Sequence, residues 1–231
     1  MQHSLSPEAL WFIGLVVGSF LTGETPLRLP FRWAETYYHE LSHGLAALIS
    51  GGRVHRIQLH FDGSGLCTTA GGSRVLILLA GYMGAALWGS LLYVGGWAMG
   101  ETGSGVILQI ELALLAVTTL LWVRDIKTLI ILGIVASVYA TVLLYGPSTY
   151  LPYLLQFTGI YVLMNALRAP LHLIDGQHVG DGAALANIFK VLPEIFWIVW
   201  WLVFALVCLA VCAWVTMPEV AIYTSKAIPK F

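Results

Sequence analysis

Long apolar runs alternate with short polar interruptions over most of this chain. A helix needs about 20 apolar residues to cross the hydrocarbon core of a membrane. The apolar runs therefore predict seven candidate spans, at residues 9–21, 33–50, 75–99, 105–123, 129–145, 150–167 and 194–215. We expect an all-α polytopic membrane protein of about six to seven transmembrane helices, forming a single membrane-embedded domain over residues 1–231.

Residues 53–73 have a different pattern, in which apolar and polar positions alternate loosely. Turn-forming residues, Asp62-Gly63-Ser64-Gly65, interrupt this alternation, and Gly71-Gly72 ends it. The pattern predicts a small β-hairpin directly after the second span, with an irregular loop as the alternative. In the next run, glycine and alanine recur at helical spacing from Gly81 to Gly89. This spacing predicts a helix packed inside the bundle, because small residues let membrane helices approach closely.

Composition agrees with a membrane location. The chain has 231 residues, of which 58% are hydrophobic and 10% are charged, whereas soluble domains carry about 25% charged residues. A net charge of −1 and the lack of a basic cluster give no sign of nucleic-acid binding. Counting Lys and Arg in the loops places Arg74 and Arg168 on one side of the membrane and Arg28 and Arg32 on the other.

The strongest chemical signal is His39-Glu40-Leu41-Ser42-His43, within the second span. Histidines spaced i and i+4 lie on one helix face and can both bind one zinc ion. Glu40 lies beside them and can accept a proton from zinc-activated water. Random order would produce this motif in a chain of this composition roughly 0.007 times. The alternative is a pair of packed polar histidines with Glu40 as their partner.

A catalytic zinc site needs a third protein ligand and an open position. No glutamate occurs between Glu40 and Glu101, so a later part of the chain has to supply the ligand. The polar stretch 169–187 offers four candidate side chains: His172, Asp175, His178 and Asp181. The residues alone leave the choice among these four open.

The motif His39-Glu40-Leu41-Ser42-His43-Gly44, followed by Gly51-Gly52 and a hairpin, resembles the site-2 protease family of intramembrane zinc metalloproteases. In that family an aspartate on a later helix completes the metal site. Gly180-Asp181-Gly182-Ala183-Ala184 resembles the variant of this motif in compact bacterial members without a PDZ domain, with a helix running on into a Trp-rich final span. Leu173-Ile174-Asp175-Gly176 is the alternative. The resemblance therefore implies His39, His43 and Asp181 as ligands of Zn²⁺, with Asp175 as the alternative third ligand.

The same resemblance implies a function and partners. Glu40 would be the catalytic residue of a zinc metallopeptidase that cleaves membrane-spanning protein substrates in the lipid bilayer, in a bacterial cytoplasmic membrane. Asn165, ahead of the Asp motif, would hold substrate, or it could be a helix-packing amide. The alternatives to a protease are a catalytically silent metal-binding scaffold and a proton or metal transporter. The oligomeric state stays open.

Overall fold

A computed structural model describes residues 5–22, 25–174 and 177–217 of the chain. Eight α-helices and one two-stranded hairpin lie in these described residues. In chain order they are α1 Pro7–Leu21, α2 Leu29–Ile49, β1 Arg53–Leu59, β2 Gly65–Ala70, α3 Arg74–Ala98, α4 Gly100–Trp122, α5 Ile126–Tyr145, α6 Tyr150–Arg168, α7 Asp181–Phe189 and α8 Glu194–Thr216. Every helix except α7 overlaps one predicted span, so the expected helical membrane fold is confirmed.

Membrane-spanning character is clearest in α3, α4, α5 and α8. These four described helices are long and apolar enough to cross a membrane, and α1 is apolar but shorter. Leucine, valine and tryptophan side chains on these helices remain exposed in the isolated chain, as lipid-facing residues do. The protein is an integral membrane protein. Helix α2 has a lower mean hydropathy, because it carries the charged residues of the histidine motif.

The hairpin forms where the alternating pattern predicts it. Strands β1 and β2 pair antiparallel, with Ile57 opposite Cys67, and a bulge lies near the start of β1. At its base, Gly52 and Gly71 approach so closely that a Cβ on Gly52 would lie 2.9 Å from the Gly71 backbone. The Ser50 hydroxyl accepts a hydrogen bond from the Ser73 N–H at 2.9 Å. These contacts tie the hairpin to the end of α2, the helix that carries the histidine motif.

Helix α3 is central in the bundle, as its small residues predict. It packs against α2, α4, α6, α7 and α8. A Cβ on Gly89 would lie 2.7 Å from the Leu163 N and 2.8 Å from the Gly159 O, so these glycines let α3 and α6 pack backbone to backbone. Close backbone approach of this kind stabilises membrane helix pairs through van der Waals contacts.

The last part of the chain departs from the expected continuous helix after Asp181. Helix α7 is a separate short helix that ends at Phe189, because Lys190 adopts a left-handed conformation with φ of 48°. Pro193 then precedes the first residue of α8. This break allows α7 to lie against α3 while α8 follows its own direction. Leu78, Leu185, Trp197 and Trp201 form a small core where the three helices meet.

Candidate metal centre

A cavity of about 1160 Å³ lies between α2, α3, α6, β2 and the segment that precedes α7. His39, Glu40, His43 and Asp181 all line it. Residues from distant parts of the chain therefore meet at one place, at the polar face of α2.

His39, His43 and Asp181 converge on a common point. The two Nε2 atoms lie 3.0 Å apart, and the Asp181 Oδ2 lies 3.5 Å from the His39 Nε2 and 3.2 Å from the His43 Nε2. Among the described residues, this is the one group of at least three His, Cys, Asp or Glu side chains arranged so that they could hold a metal ion.

The second ring nitrogen of His43 defines its tautomer. The His43 Nδ1 lies 2.6 Å from the Ile77 carbonyl oxygen on α3. A carbonyl oxygen can only accept, so Nδ1 carries the hydrogen, and in its neutral form the ring presents a bare lone pair at Nε2. That lone pair faces the His39 nitrogen and the Asp181 carboxylate, as expected of a metal ligand.

Gly81 and Tyr82 on α3 shape the space around the histidines. A Cβ on Gly81 would lie 2.5 Å from the His43 Nε2 and 2.6 Å from the His39 Nε2, so only glycine fits without movement. The Tyr82 ring packs edge-on against His39 at 4.5 Å, and its other neighbour is Trp201 on α8 at 4.6 Å. The sequence offered the small residue at position 81 as a packing signal and gave no signal for Tyr82.

Glu40 is buried beside the histidines and contacts the hairpin. Its carboxylate accepts a hydrogen bond from the Cys67 backbone N–H. A Cβ on Gly65 would lie 2.7 Å from both the Cγ and the Oε1 of Glu40, so this glycine lets β2 approach the carboxylate closely. The hairpin thus fixes the position of Glu40 at the edge of the cavity.

Asp181 is the first residue of α7, and it does not cap that helix. The N-cap position is Gly180, whose φ of 111° favours glycine. The preceding segment is joined to α8, because the His178 Nδ1 lies 2.8 Å from the Glu194 Oε2. Asp181 thus follows a glycine turn, in a segment that the His178–Glu194 contact joins to α8.

The other candidate ligands have different positions. Asp175 lies outside the described residues. His172 lines the same cavity, and His178 pairs with Glu194 instead of joining the triad. Asn165 also lines the cavity from α6, where its buried side-chain amide lies beside the Tyr161 hydroxyl on the same helix.

Counting Lys and Arg in the loops assigned Arg28 and Arg32 to one side of the membrane and Arg74 and Arg168 to the other, whereas in the structure all four line one cavity. Arg32 precedes the motif on α2 and Arg168 ends α6, and both line the cavity with Arg28 and Arg74. Because lining one cavity does not fix a membrane side, the assignment of these arginines to two sides of the membrane stays a prediction. The count assumed that each predicted span separates the loops at its two ends, and α2 and α6 bring Arg32 and Arg168 to one polar cavity.

Comparison with known proteins identifies the family. The model of the Peptidase M50B-like family matches residues 12–212. The chain belongs to this family. It is a site-2 protease family, so the resemblance seen in the sequence is confirmed, and membership supports a metallopeptidase. No curated protein and no solved structure gave a significant match.

Proposed function

We propose that this protein is an intramembrane zinc metalloprotease that hydrolyses peptide bonds of membrane-spanning substrates. The observation that carries the proposal is the convergence of His39, His43 and Asp181 beside the buried Glu40, in a cavity of a membrane protein from this peptidase family. The likeness to compact bacterial members also leads us to propose a bacterial cytoplasmic membrane and one catalytic domain over residues 1–231.

The three side chains fit zinc. Two imidazole nitrogens and one carboxylate are a ligand set of catalytic zinc sites, which leave a fourth position open. With metal–ligand distances near 2.0–2.1 Å, neighbouring ligand atoms of a tetrahedral site lie roughly 3.3 Å apart. The separations here are 3.0, 3.2 and 3.5 Å. Zinc in such a site supplies Lewis-acid chemistry, because it polarises a peptide carbonyl and acidifies water.

Glu40 would move the proton in the reaction. Its carboxylate would accept a proton from the attacking water and deliver it to the amine that leaves when the peptide bond breaks. The hydrogen bond from the Cys67 N–H and the close approach of Gly65 support this role, since they hold the carboxylate at one place in the cavity. A general acid–base residue works only when it is held within reach of the reacting atoms.

The substrate would enter as an extended segment. A helical backbone hides its carbonyl groups in internal hydrogen bonds, so a membrane-spanning substrate has to unwind locally before cleavage. Residues Gly63 to Cys67 line the cavity, and β1 is the one described strand that pairs with β2. We infer that the substrate adds to the other edge of β2, next to the Cys67 N–H whose hydrogen bond Glu40 accepts, and that strand addition keeps it extended beside Glu40.

Asn165 would hold the substrate backbone. Its amide lines the cavity beside the Tyr161 hydroxyl, and because the Nδ2 carries two N–H donors, one can bond Tyr161 while the other donates to a ligand. A carbonyl oxygen of an extended substrate is a suitable acceptor. In the alternative role of helix-packing amide, Asn165 would need a partner on a neighbouring helix.

The test is a cleavage assay with purified protein in liposomes. A panel of single-span model proteins, tagged at both ends, is reconstituted together with wild type, Glu40→Gln or Glu8→Gln. Glu8 is an exposed residue in the first turn of α1, so Glu8→Gln makes the same chemical change far from the motif. We expect chelator-sensitive cleavage by wild type and Glu8→Gln, and none by Glu40→Gln. Cleavage that survives Glu40→Gln contradicts the proposal.

A further inference from the structure

Arginines are concentrated at one end of the cavity. Arg28, Arg32 and Arg168, which we call the arginine cluster, come from the segment before α2, from α2 and from the end of α6. All three line the cavity, and all three lie close enough to the Tyr161 hydroxyl to act on it electrostatically. A site built from three guanidinium groups attracts anions.

Two members of the cluster form no ion pair with a carboxylate among the described residues. Neither Arg32 nor Arg168 forms an ion pair with any described Asp or Glu, although Arg32 lies near Glu35 and Asp62. The Arg168 guanidinium lies 3.9 Å over the Phe20 ring, which holds it in place. Its Nη2 is nevertheless buried with no hydrogen-bond partner among the described residues.

The neighbouring polar groups add further donors. The Asn165 Nδ2, one helical turn before Arg168, is also buried at the cavity wall, where it lies beside the Tyr161 hydroxyl. A group of buried N–H donors with positive charge is complementary to the oxygens of an anion, and guanidinium–carboxylate bonds are among the stronger hydrogen bonds in proteins. The missing partner is therefore an acceptor with negative charge.

We propose that the arginine cluster selects substrates by binding an acidic side chain next to the segment that is cleaved. This inference rests on the proposed function, because it concerns the substrate of the same cavity. The cluster and residues of β2 line one cavity, so an extended chain added to β2 passes both the triad and the arginines. A peptide carboxylate fits this arrangement better than a lipid headgroup, since the donors are buried within the protein.

Binding can be measured without cleavage. The full-length Glu40→Gln protein in detergent micelles is titrated into a fluorescent apolar peptide that carries an Asp-Glu pair at one end, and into a matched peptide with Asn-Gln. We expect roughly tenfold tighter binding of the acidic peptide at low salt, and a smaller preference at high salt. Because no cleavage is needed, failure of this proposal is read separately from failure of the protease proposal.

Three further variants assign the preference to the cluster. Arg32→Gln with Arg168→Gln should abolish the preference while leaving the affinity for the Asn-Gln peptide unchanged. Arg32→Lys with Arg168→Lys should keep part of it, because the positive charge remains. Lys127→Gln should keep all of it, since Lys127 is exposed outside the cavity.

Four results would overturn the proposal. The first is equal affinity of the Glu40→Gln protein for the two peptides, and the second is an equal loss of both affinities when Arg32 and Arg168 are changed to Gln. The third is a loss of the preference for the acidic peptide in Lys127→Gln, and the fourth is displacement of the acidic peptide by phosphatidylglycerol in the micelle. The last result would assign the arginine cluster to a lipid headgroup.

Discussion

Helix α2 carries two polar clusters on different faces, and they differ in how their polar atoms are satisfied. On one face, the Tyr38 hydroxyl donates to the Glu111 Oε2 at 2.8 Å, and the Tyr37 hydroxyl pairs with Thr118 at 3.0 Å. These bonds join α2 directly to α4. We call this face the closed cluster. Glu111 thus makes the structural polar contact that its position within an apolar span predicts.

The other face of α2 contributes to the triad, which we define as the candidate metal ligands His39, His43 and Asp181. Because the His43 Nδ1 donates to the Ile77 carbonyl, the neutral ring directs a lone pair at the Asp181 carboxylate. Acceptors at this distance repel unless a proton or a cation lies between them. The closed cluster is joined by hydrogen bonds within the protein, whereas the triad needs a proton or a bound cation between its ligand atoms. Buried polar groups in a membrane protein therefore indicate function where their partners are missing.

The largest expected effect is on the cleavage rate, which should depend on Glu40 beside the triad and not on Glu111 in the closed cluster. Glu40→Gln should lower the cleavage rate by about a thousandfold, since general acid–base groups contribute about 10² to 10⁴ in rate. Glu111→Gln makes the same change in the closed cluster and should leave the cleavage rate within a few fold of wild type, at equal amounts of folded protein. Equal losses in the two variants would break the distinction between the clusters.

A second prediction concerns the space beside the histidines. Gly81→Ala should lower zinc affinity by about 10- to 100-fold, as changes to groups that orient metal ligands do, because the new methyl group would lie 2.5 Å from the His43 Nε2. Zinc affinity is measured by competition with a chromophoric chelator. The matched control is Gly14→Ala on α1, where a Cβ meets nothing within 4 Å. Unchanged affinity in Gly81→Ala would mean that α3 does not confine the histidine rings.

The closed cluster should affect stability and leave zinc binding unchanged. Tyr38→Phe removes the hydrogen-bond donor to Glu111 and should lower the free energy of unfolding by about 1–2 kcal/mol. Denaturant titration in mixed micelles measures the change, and zinc content is measured on the same samples. Zinc loss in folded Tyr38→Phe protein would show that the two faces of α2 are coupled.

The smallest effect is expected at a helix cap outside both clusters. Asp125 begins α5 and accepts hydrogen bonds from the Thr128 N–H at 2.9 Å and hydroxyl at 2.8 Å. Slight burial raises the pKa of Asp125, but the hydrogen bonds outweigh burial and hold the pKa below its usual value. The stabilisation is thus present above the unfolded-state pKa, near 3.9, and is lost as the pH falls through the lower folded-state pKa.

Asp125→Ala should therefore cost about 1 kcal/mol of stability at neutral pH, the usual scale for an N-cap. The difference from wild type should shrink as the pH falls below 4, measured by denaturant titration across that range. A difference that grows toward low pH would contradict this account of the cap.

Much of this arrangement could be predicted from local sequence. The i, i+4 spacing of His39 and His43 defines a shared helix face, and apolar run lengths define the long helices. The alternating pattern of residues 53–73 likewise predicted the hairpin. In each case the signal depends on residues close together in the chain.

The remaining features depend on tertiary packing. The Ile77 carbonyl, Gly81 and Tyr82 meet the histidines only because α3 crosses α2 at that point. The meeting of Arg32 with Arg168 likewise depends on how α2 and α6 pack. No local pattern in a single sequence reports such crossings. The choice of Asp181 rested on a motif resemblance, and the structure adds its distances to the two histidines.

The most direct test of the account is the zinc content of the detergent-purified protein after zinc supply and removal of loosely bound metal. Wild type, His39→Ala, Asp181→Ala and Asp175→Ala are compared, with Glu40→Gln as a variant expected to retain the metal. We expect about one zinc per chain in wild type, lost in His39→Ala and Asp181→Ala and kept in Asp175→Ala. Zinc-free wild type, or zinc that is lost with Asp175→Ala and kept with Asp181→Ala, would contradict the account.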